Sequence, residues 1–230
     1  MLLAWGIAIL VMTAQKDLGS SLLLFFLFIA MLWVATGRVA YPVAGTGLFA
    51  VASYGAWTQF SHVQARVDAW LDPWSYPKEG YQVIQGWFAM AWGGIAGTGI
   101  GLGRPERVPY VASDFIFVAI AEELGLLGAT AVLMAYLLII GSGLRTAIQA
   151  EHGFDKLLAA GLTALLGFQA FVILAGVTRL LPLTGVVLPF VAYGGSALVA
   201  NYILLALLLR ISDGNSRQRA EARAKAMAVA

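Results

Sequence analysis

The loop Gly101-Leu-Gly-Arg-Pro-Glu-Arg-Val-Pro-Tyr-Val-Ala-Ser-Asp114 places two Arg, one Glu, two Pro and one Asp between two apolar runs. Asp114 stands directly before the run Phe115–Ala121. A carboxylate there can cap a helix by accepting backbone N–H bonds. It can also take a proton from a hydroxyl nucleophile, provided it has hydrogen-bond reach and a suitable pKa. The two roles are compatible, because a cap leaves one oxygen free. Arg104 and Arg107 lie in the same loop, and Arg179 closes a later apolar run. A guanidinium fork binds phosphate, so a lipid pyrophosphate suits these three, as does snorkelling to headgroups. Glu122 and Glu123 follow Asp114 at a depth of about 12–14 Å along a helix. At about 100° per residue Glu122 sits roughly 80° from Asp114 and Glu123 roughly opposite it. Glu122 is therefore the candidate to share a cavity with Asp114, a structural pair with Arg, Gln or backbone being the alternative. Gly194-Gly195-Ser196 can offer N–H groups to an anion or start a helix with Ser196 as its cap.

The elements that must hold these groups follow from composition. The chain has 230 residues, 60% hydrophobic and 11% charged, whereas soluble domains are about half apolar and about a quarter charged. That excludes a disordered chain and makes the bilayer the solvent. The 26 Gly and 7 Trp suit packed membrane helices and aromatic belts. The absence of Cys excludes a disulfide framework and any thiolate ligand or nucleophile. Two His, His62 and His152, argue against a His-rich zinc site. A net charge of +2 is too small to suggest nucleic acid.

Apolar runs of roughly 20 residues mark spans. They occur at Leu2–Ala14, which is short, and at Leu18–Thr36, Val39–Phe60, Tyr81–Leu102, Phe115–Leu144, Leu157–Leu181 and about Val191–Leu209. This predicts an all-α, polytopic bundle of about seven spans over residues 1–211, with a polar, cytoplasmic tail over 212–230. If the first run travels outside to inside, the inner side holds Lys16, Arg66, Lys78, Arg145, Lys156, Arg210, Arg217, Arg219, Arg223 and Lys225. The outer side then holds Arg38, Arg104, Arg107 and Arg179. That distribution obeys the positive-inside bias and puts Asp114 outside. Val63–Tyr81 reads as an inner, surface-lying aromatic segment. Leu180–Ser196, broken by two Pro and three Gly, must be a re-entrant or outer-leaflet loop, since irregular backbone at membrane depth has to be buried in protein or line a cavity. An uncharged N-terminus on the outer face suggests further spans upstream.

Four segments resemble the SEDS family (shape, elongation, division and sporulation; the RodA/FtsW/SpoVE type). They are Gln15-Lys16-Asp17-Leu18-Gly19-Ser20; Trp70-Leu71-Asp72-Pro73 with Gly80-Tyr81-Gln82 and the glycines Gly93 to Gly101; Ser113-Asp114-Phe115-Ile116-Phe117 with Glu122-Glu123-Leu124-Gly125; and Leu181-Pro182 to Tyr193-Gly194-Gly195-Ser196. Their order and spacing fit across about residues 15–212. Lys16 stands where the family has Pro, and Ala192 and Ala197 where it has Ser.

The resemblance implies a bacterial inner-membrane glycosyltransferase with ten spans, of which the last seven are present here. It implies polymerisation of lipid II into β-1,4 glycan with release of undecaprenyl pyrophosphate, beside a class B penicillin-binding protein. By the resemblance Asp114 is the essential acid that activates the GlcNAc 4-hydroxyl. Arg104, Arg107, Arg179, Glu122 and Ser196 are the accompanying substrate-binding candidates. A divalent cation, Mg or Mn, is compatible with the pyrophosphate. Leu181-Pro182-Leu183-Thr184-Gly185 lacks the Lys of division-type members, which favours a RodA-like role in cell elongation. Two other functions fit the polar residues within spans and the small-residue faces: a lipid II flippase using Glu122, Glu123 and Gln169, and a non-catalytic scaffold for a penicillin-binding protein.

Overall fold

The computed structural model describes residues 18–78 and 80–229. Among them the secondary structure is helical, with no strand. The helices are α1 (Leu18–Thr36), α2 (Ala40–Gln59), α3 (Ser61–Leu71), α4 (Tyr81–Gly93), a 3-10 turn (Pro105–Arg107), α5 (Ile116–Gln149), α6 (Gly153–Val177) and α7 (Gly195–Val229). The expected run Leu2–Ala14 lies outside the described residues. Among the described residues four helices are long and apolar enough to cross a membrane: Gly19–Thr36, Ile116–Gln149, Gly153–Val177 and Gly195–Met227. The expected multi-pass, all-helical membrane architecture is the one observed. At 20 residues, about 30 Å, α2 can also return across a bilayer, but its Gly, Ala, Ser and Thr lower its hydropathy.

Small residues set the packing, as lipid-facing bundles require. α2 returns along α1, with Gly45 buried against Ile29 and the Phe49 ring 5.2 Å from that of Phe26. Phe26 stacks in turn on Phe168 of α6 at 5.5 Å. α5 and α6 pair antiparallel, with Gly143 facing Thr163 and Gly167 facing Ile140. Ala147, Ala159, Ala160 and Leu166 pack with Leu204 and Leu208 of α7. At the far end Asn215 donates to the Thr146 carbonyl at 3.0 Å. α7 runs unbroken past residue 211 into the polar tail.

The antiparallel order gives the bundle two distinct ends. One holds the starts of α1, α5 and α7 and the ends of α2 and α6. The other holds Arg38, the α5–α6 turn and the tail. The run Tyr81–Leu102 was expected to cross between them, and it does not. α4 stops at Gly93 after 13 residues. Gly94, Gly97, Gly99 and Gly101 all have positive φ, a region glycine enters without steric cost. They turn the chain back beside the start of α5. Residues 61–115 therefore stay at the end that holds Asp114. This corrects the side of Val63–Tyr81, which puts Arg66 and Lys78 at the same end of the bundle as Asp114 rather than at the opposite one, and it moves Arg38 to the tail end. Lys16 lies outside the described residues.

Leu180–Ser196 does re-enter, as its Pro and Gly content required. Leu188 and Pro189 are fully buried. Gln169 of α6 donates to the Val187 carbonyl at 3.0 Å, and the Tyr136 hydroxyl of α5 donates to the Pro189 carbonyl. Side chains of two spanning helices thus satisfy backbone that no helix could.

Candidate active site

Asp114 is held by a turn rather than by a helix. Tyr110 adopts φ +56°, an uncommon conformation for a residue with a side chain. Its carbonyl accepts from the amides of Ser113 at 3.1 Å, Asp114 at 3.2 Å and Phe115 at 3.4 Å. The Ser113 hydroxyl joins them at 3.2 Å. Two further bonds tie the turn down: Tyr193 N–H to the Ala112 carbonyl at 2.8 Å, and the Gln82 amide of α4 to the Pro109 carbonyl at 2.9 Å. The helix cap is Phe115, with no side-chain cap bond. Asp114 is therefore not the N-cap that its position suggested. Phe115 is 1% exposed and its ring fills the space a Cβ on Gly86 would need. Partial burial pushes the Asp114 carboxyl above the ordinary aspartate range, while the Ser113 hydroxyl and the Arg66 guanidinium pull it back.

Arg66 belongs to α3, which lies across this end of the bundle. It reaches the carbonyls of Leu183 at 3.4 Å and Thr184 at 3.5 Å, both at the long end of the hydrogen-bond range. Arg179 is engaged more tightly. Its Nε donates to the Trp70 carbonyl at 2.9 Å, its Nη2 to the Leu71 carbonyl, and it lies 5.3 Å from the centroid of Trp87. Trp70 Nε1 donates back to the Arg179 carbonyl at 3.0 Å. Arg179 thus closes the C-terminus of α3, where unpaired carbonyls favour a cation. Arg66, Trp70, Val83 and Arg179 line a cleft of about 50 Å³, room for a water or two. At the end of α3, Ser75 Oγ donates to Asp72 at 2.5 Å, which holds that exposed carboxyl below its usual range.

Glu122 lies elsewhere. α5 is broken at Gly125, with φ +65° and ψ −164°. The amides of Leu126 and Leu127 leave the helix and donate to the carbonyls of Gly94 at 2.9 Å and Ile95 at 3.2 Å. The carbonyls of Glu122 and Glu123 accept instead from Thr98 N–H and Gly99 N–H, both at 3.0 Å. The helix and the glycine turn thus exchange backbone bonds and satisfy one another. Gly93, Gly97 and Gly125 sit where a Cβ would strike the opposing backbone. Glu122 is 4% exposed. Its Oε1 accepts from Arg104 N–H at 2.8 Å and its Oε2 has no partner. With Gln85, Phe88, Trp92, Arg104 and Arg107 it lines a cavity of about 370 Å³. Asp114 is not among the lining residues. The helical-angle expectation of a shared cavity is overturned because Asp114 precedes the helix.

The expected residues thus divide. Arg66 acts on Asp114 and lines one small cleft with Arg179, Arg104, Arg107 and Glu122 line another cavity, and Ser196 stands exposed in the first turn of α7. Sequence reasoning missed Arg66 because it assigned α3 to the wrong side. The signal against that assignment was the glycine density of residues 93–101. Among the described residues no three His, Cys, Asp or Glu converge to hold a metal ion.

A family profile, the FtsW/RodA/SpoVE group described as cell cycle protein, matches residues 1–217. The peptidoglycan glycosyltransferase RodA of Mycobacterium tuberculosis (strain ATCC 25618 / H37Rv) is 51% identical over 94% of this chain and 46% of its own length. The probable peptidoglycan glycosyltransferase FtsW of Geobacter sp. (strain M18) is 38% identical over 92% of this chain and 58% of its own. A chain in the solved structure of a peptidoglycan synthase complex that coordinates polymerization and crosslinking superposes with a TM-score of 0.72 at 26% identity, covering 90% of this chain and 59% of that one. The chain spans about half the length of the curated relatives it matches.

Proposed function

Because the chain belongs to the FtsW/RodA/SpoVE family, we propose that it supplies the acceptor-activating end of a peptidoglycan glycosyltransferase that polymerises lipid II. The observation that carries this reading is a carboxyl freed from capping, raised by burial and faced by an arginine, at one end of a membrane bundle. Asp114 takes the proton of the GlcNAc 4-hydroxyl. The oxygen attacks the anomeric carbon of the growing chain's terminal MurNAc, and the C1–O bond to undecaprenyl pyrophosphate breaks with inversion. Arg66 meets the charge of the departing pyrophosphate. Arg179 positions α3 and so Arg66, and Ser196 borders the segment tied to Ala112. A Mg or Mn ion would arrive bound to the pyrophosphate, since such ions accept one carboxylate plus phosphate oxygens.

The basic tail puts the tail end in the cytoplasm of a bacterial inner membrane and Asp114 outside, where a class B penicillin-binding protein would cross-link the product. The higher identity to RodA than to FtsW favours a role in elongation. The flippase reading weakens, because Gln169 anchors the re-entrant loop and Glu122 the glycine turn. The test is polymerisation of lipid II by the purified full-length protein and its Asp114→Asn variant. A loss of roughly 10²–10⁴-fold is expected for removal of a general base. An active variant would end the proposal.

A further inference from the structure

The cavity beneath the glycine turn has a polar pattern to which the mechanism proposed above assigns no step. Its buried wall is a carboxylate with one oxygen engaged by Arg104 N–H and the other unpartnered. A buried acceptor without a donor is unfavourable, more so when charged, so the site favours a ligand that brings a donor. Arg104 and Arg107 line the same cavity and call for an anion. Phe88, Trp92 and Leu102 also line it and are 57%, 79% and 76% exposed. Nearby Ile95 and Ile100 are 70% and 80% exposed. Apolar exposure on this scale at the tip of the turn suits contact with acyl chains.

We propose that this cavity binds an amine-bearing phospholipid headgroup, phosphoethanolamine on a diacyl lipid. The ammonium donates to Glu122 Oε2, the phosphate lies between Arg104 and Arg107, and the acyl chains follow Phe88, Trp92 and Leu102. A volume of about 370 Å³ is at the lower end of small-ligand sites and accommodates such a headgroup, whereas a disaccharide pentapeptide exceeds it. A choline headgroup offers no N–H to the carboxylate. A glycerol headgroup lacks the positive charge that a charge-assisted bond requires.

The test is native mass spectrometry of the purified full chain, equilibrated with equal amounts of phosphatidylethanolamine and phosphatidylcholine of matched acyl chains. A preference of roughly tenfold for phosphatidylethanolamine is expected, the worth of one charge-assisted hydrogen bond. Glu122→Gln keeps an acceptor for Arg104 N–H but places a donor where Oε2 was, so the preference should fall to about one. If that variant does not fold, Arg107→Ala, an exposed side chain, decides. Loss of both lipids supports the site, and full retention overturns it. Equal binding of the two lipids by the wild type overturns it, as does an unchanged preference in folded Glu122→Gln. Displacement of phosphatidylethanolamine by lipid II, one for one, assigns the cavity to substrate and also overturns it. Free phosphoethanolamine, if it competes as well as the lipid, shows that the headgroup alone is bound and refutes the acyl contacts. Asp114→Asn should keep the preference, so this result is independent of the catalytic reading.

Discussion

Gly97→Ala tests the backbone exchange between the glycine turn and α5. Gly97 has φ +85°, and its added Cβ would lie 2.6 Å from the carbonyl carbon of Glu123 and 2.7 Å from Gly125 N. The left-handed conformation alone is unfavourable to a side chain by about 1–2 kcal/mol. Opening even one exchanged bond leaves two buried groups unpaired, at about 1–3 kcal/mol each. The sum is about 3–8 kcal/mol, against a total stability of about 5–15 kcal/mol for a typical domain. Gly101→Ala is the matched control. Its φ is +74°, but nothing lies within 4 Å of the added Cβ, so only the conformational penalty of about 1–2 kcal/mol applies. A chain of this size shifts its melting temperature by about 2–4 °C per kcal/mol. Tryptophan-fluorescence melts of the full chain in detergent should therefore separate the two variants by at least about 4 °C. Equal melting temperatures would show that the exchange does not hold the turn, and the account of Gly93, Gly97 and Gly125 would fall with it.

Three further outcomes are expected. The raised pKa of Asp114 means the folded state prefers its neutral carboxyl. That contribution to stability is present below the unfolded pKa of about 3.9 and is lost as pH rises through the folded value. At neutral pH Asp114→Asn should melt at or above the wild-type temperature, and a clear drop in a thermal melt would contradict the burial argument. Arg66→Met removes a charge that pulls the Asp114 pKa down; the acid limb of the pH–rate profile for glycan synthesis should move to higher pH, and an unmoved limb would dissociate the two residues. Arg179→Lys cannot reproduce the paired contacts to Trp70 and Leu71 or the approach to Trp87; a loss of about 2–3 kcal/mol, read by thermal melt, is expected, and a neutral result would refute its role at the end of α3.

Much of this was legible in the residue order. The helical membrane class followed from hydrophobic runs, and α1 matches its predicted bounds, Leu18–Thr36. Asp114 stood out as a lone acid before an apolar run. The broken stretch Leu180–Ser196 was readable because Pro and Gly cannot sustain a helix in lipid. Three things were hidden. A hydropathy window registers the glycines of Tyr81–Leu102 as mildly apolar and cannot register their positive φ, so a turning segment read as a crossing. One crossing too many inverted every loop before it, which is why Arg66, Lys78 and Arg38 were placed on the wrong sides together. The capping role given to Asp114 failed for a local reason: the Tyr110 carbonyl gathers the amides that a cap would have served. Glu122 does not share a cavity with Asp114; it is buried, and its partner is the backbone amide of Arg104.

The exchanged bonds between the glycine turn and α5 also constrain how the chain enters the bilayer. Neither strand of that exchange can satisfy its own backbone in hydrocarbon: Thr98 and Gly99 need carbonyls that arrive with Glu122 and Glu123, and Leu126 and Leu127 need those of Gly94 and Ile95. A ribosome that has released Gly93 but not Leu127 has delivered half of a joint. α4, at about 20 Å, is too short to halt in the membrane as a span of its own. The backbone groups of this joint are therefore satisfied together only once residues 94–127 are all in place.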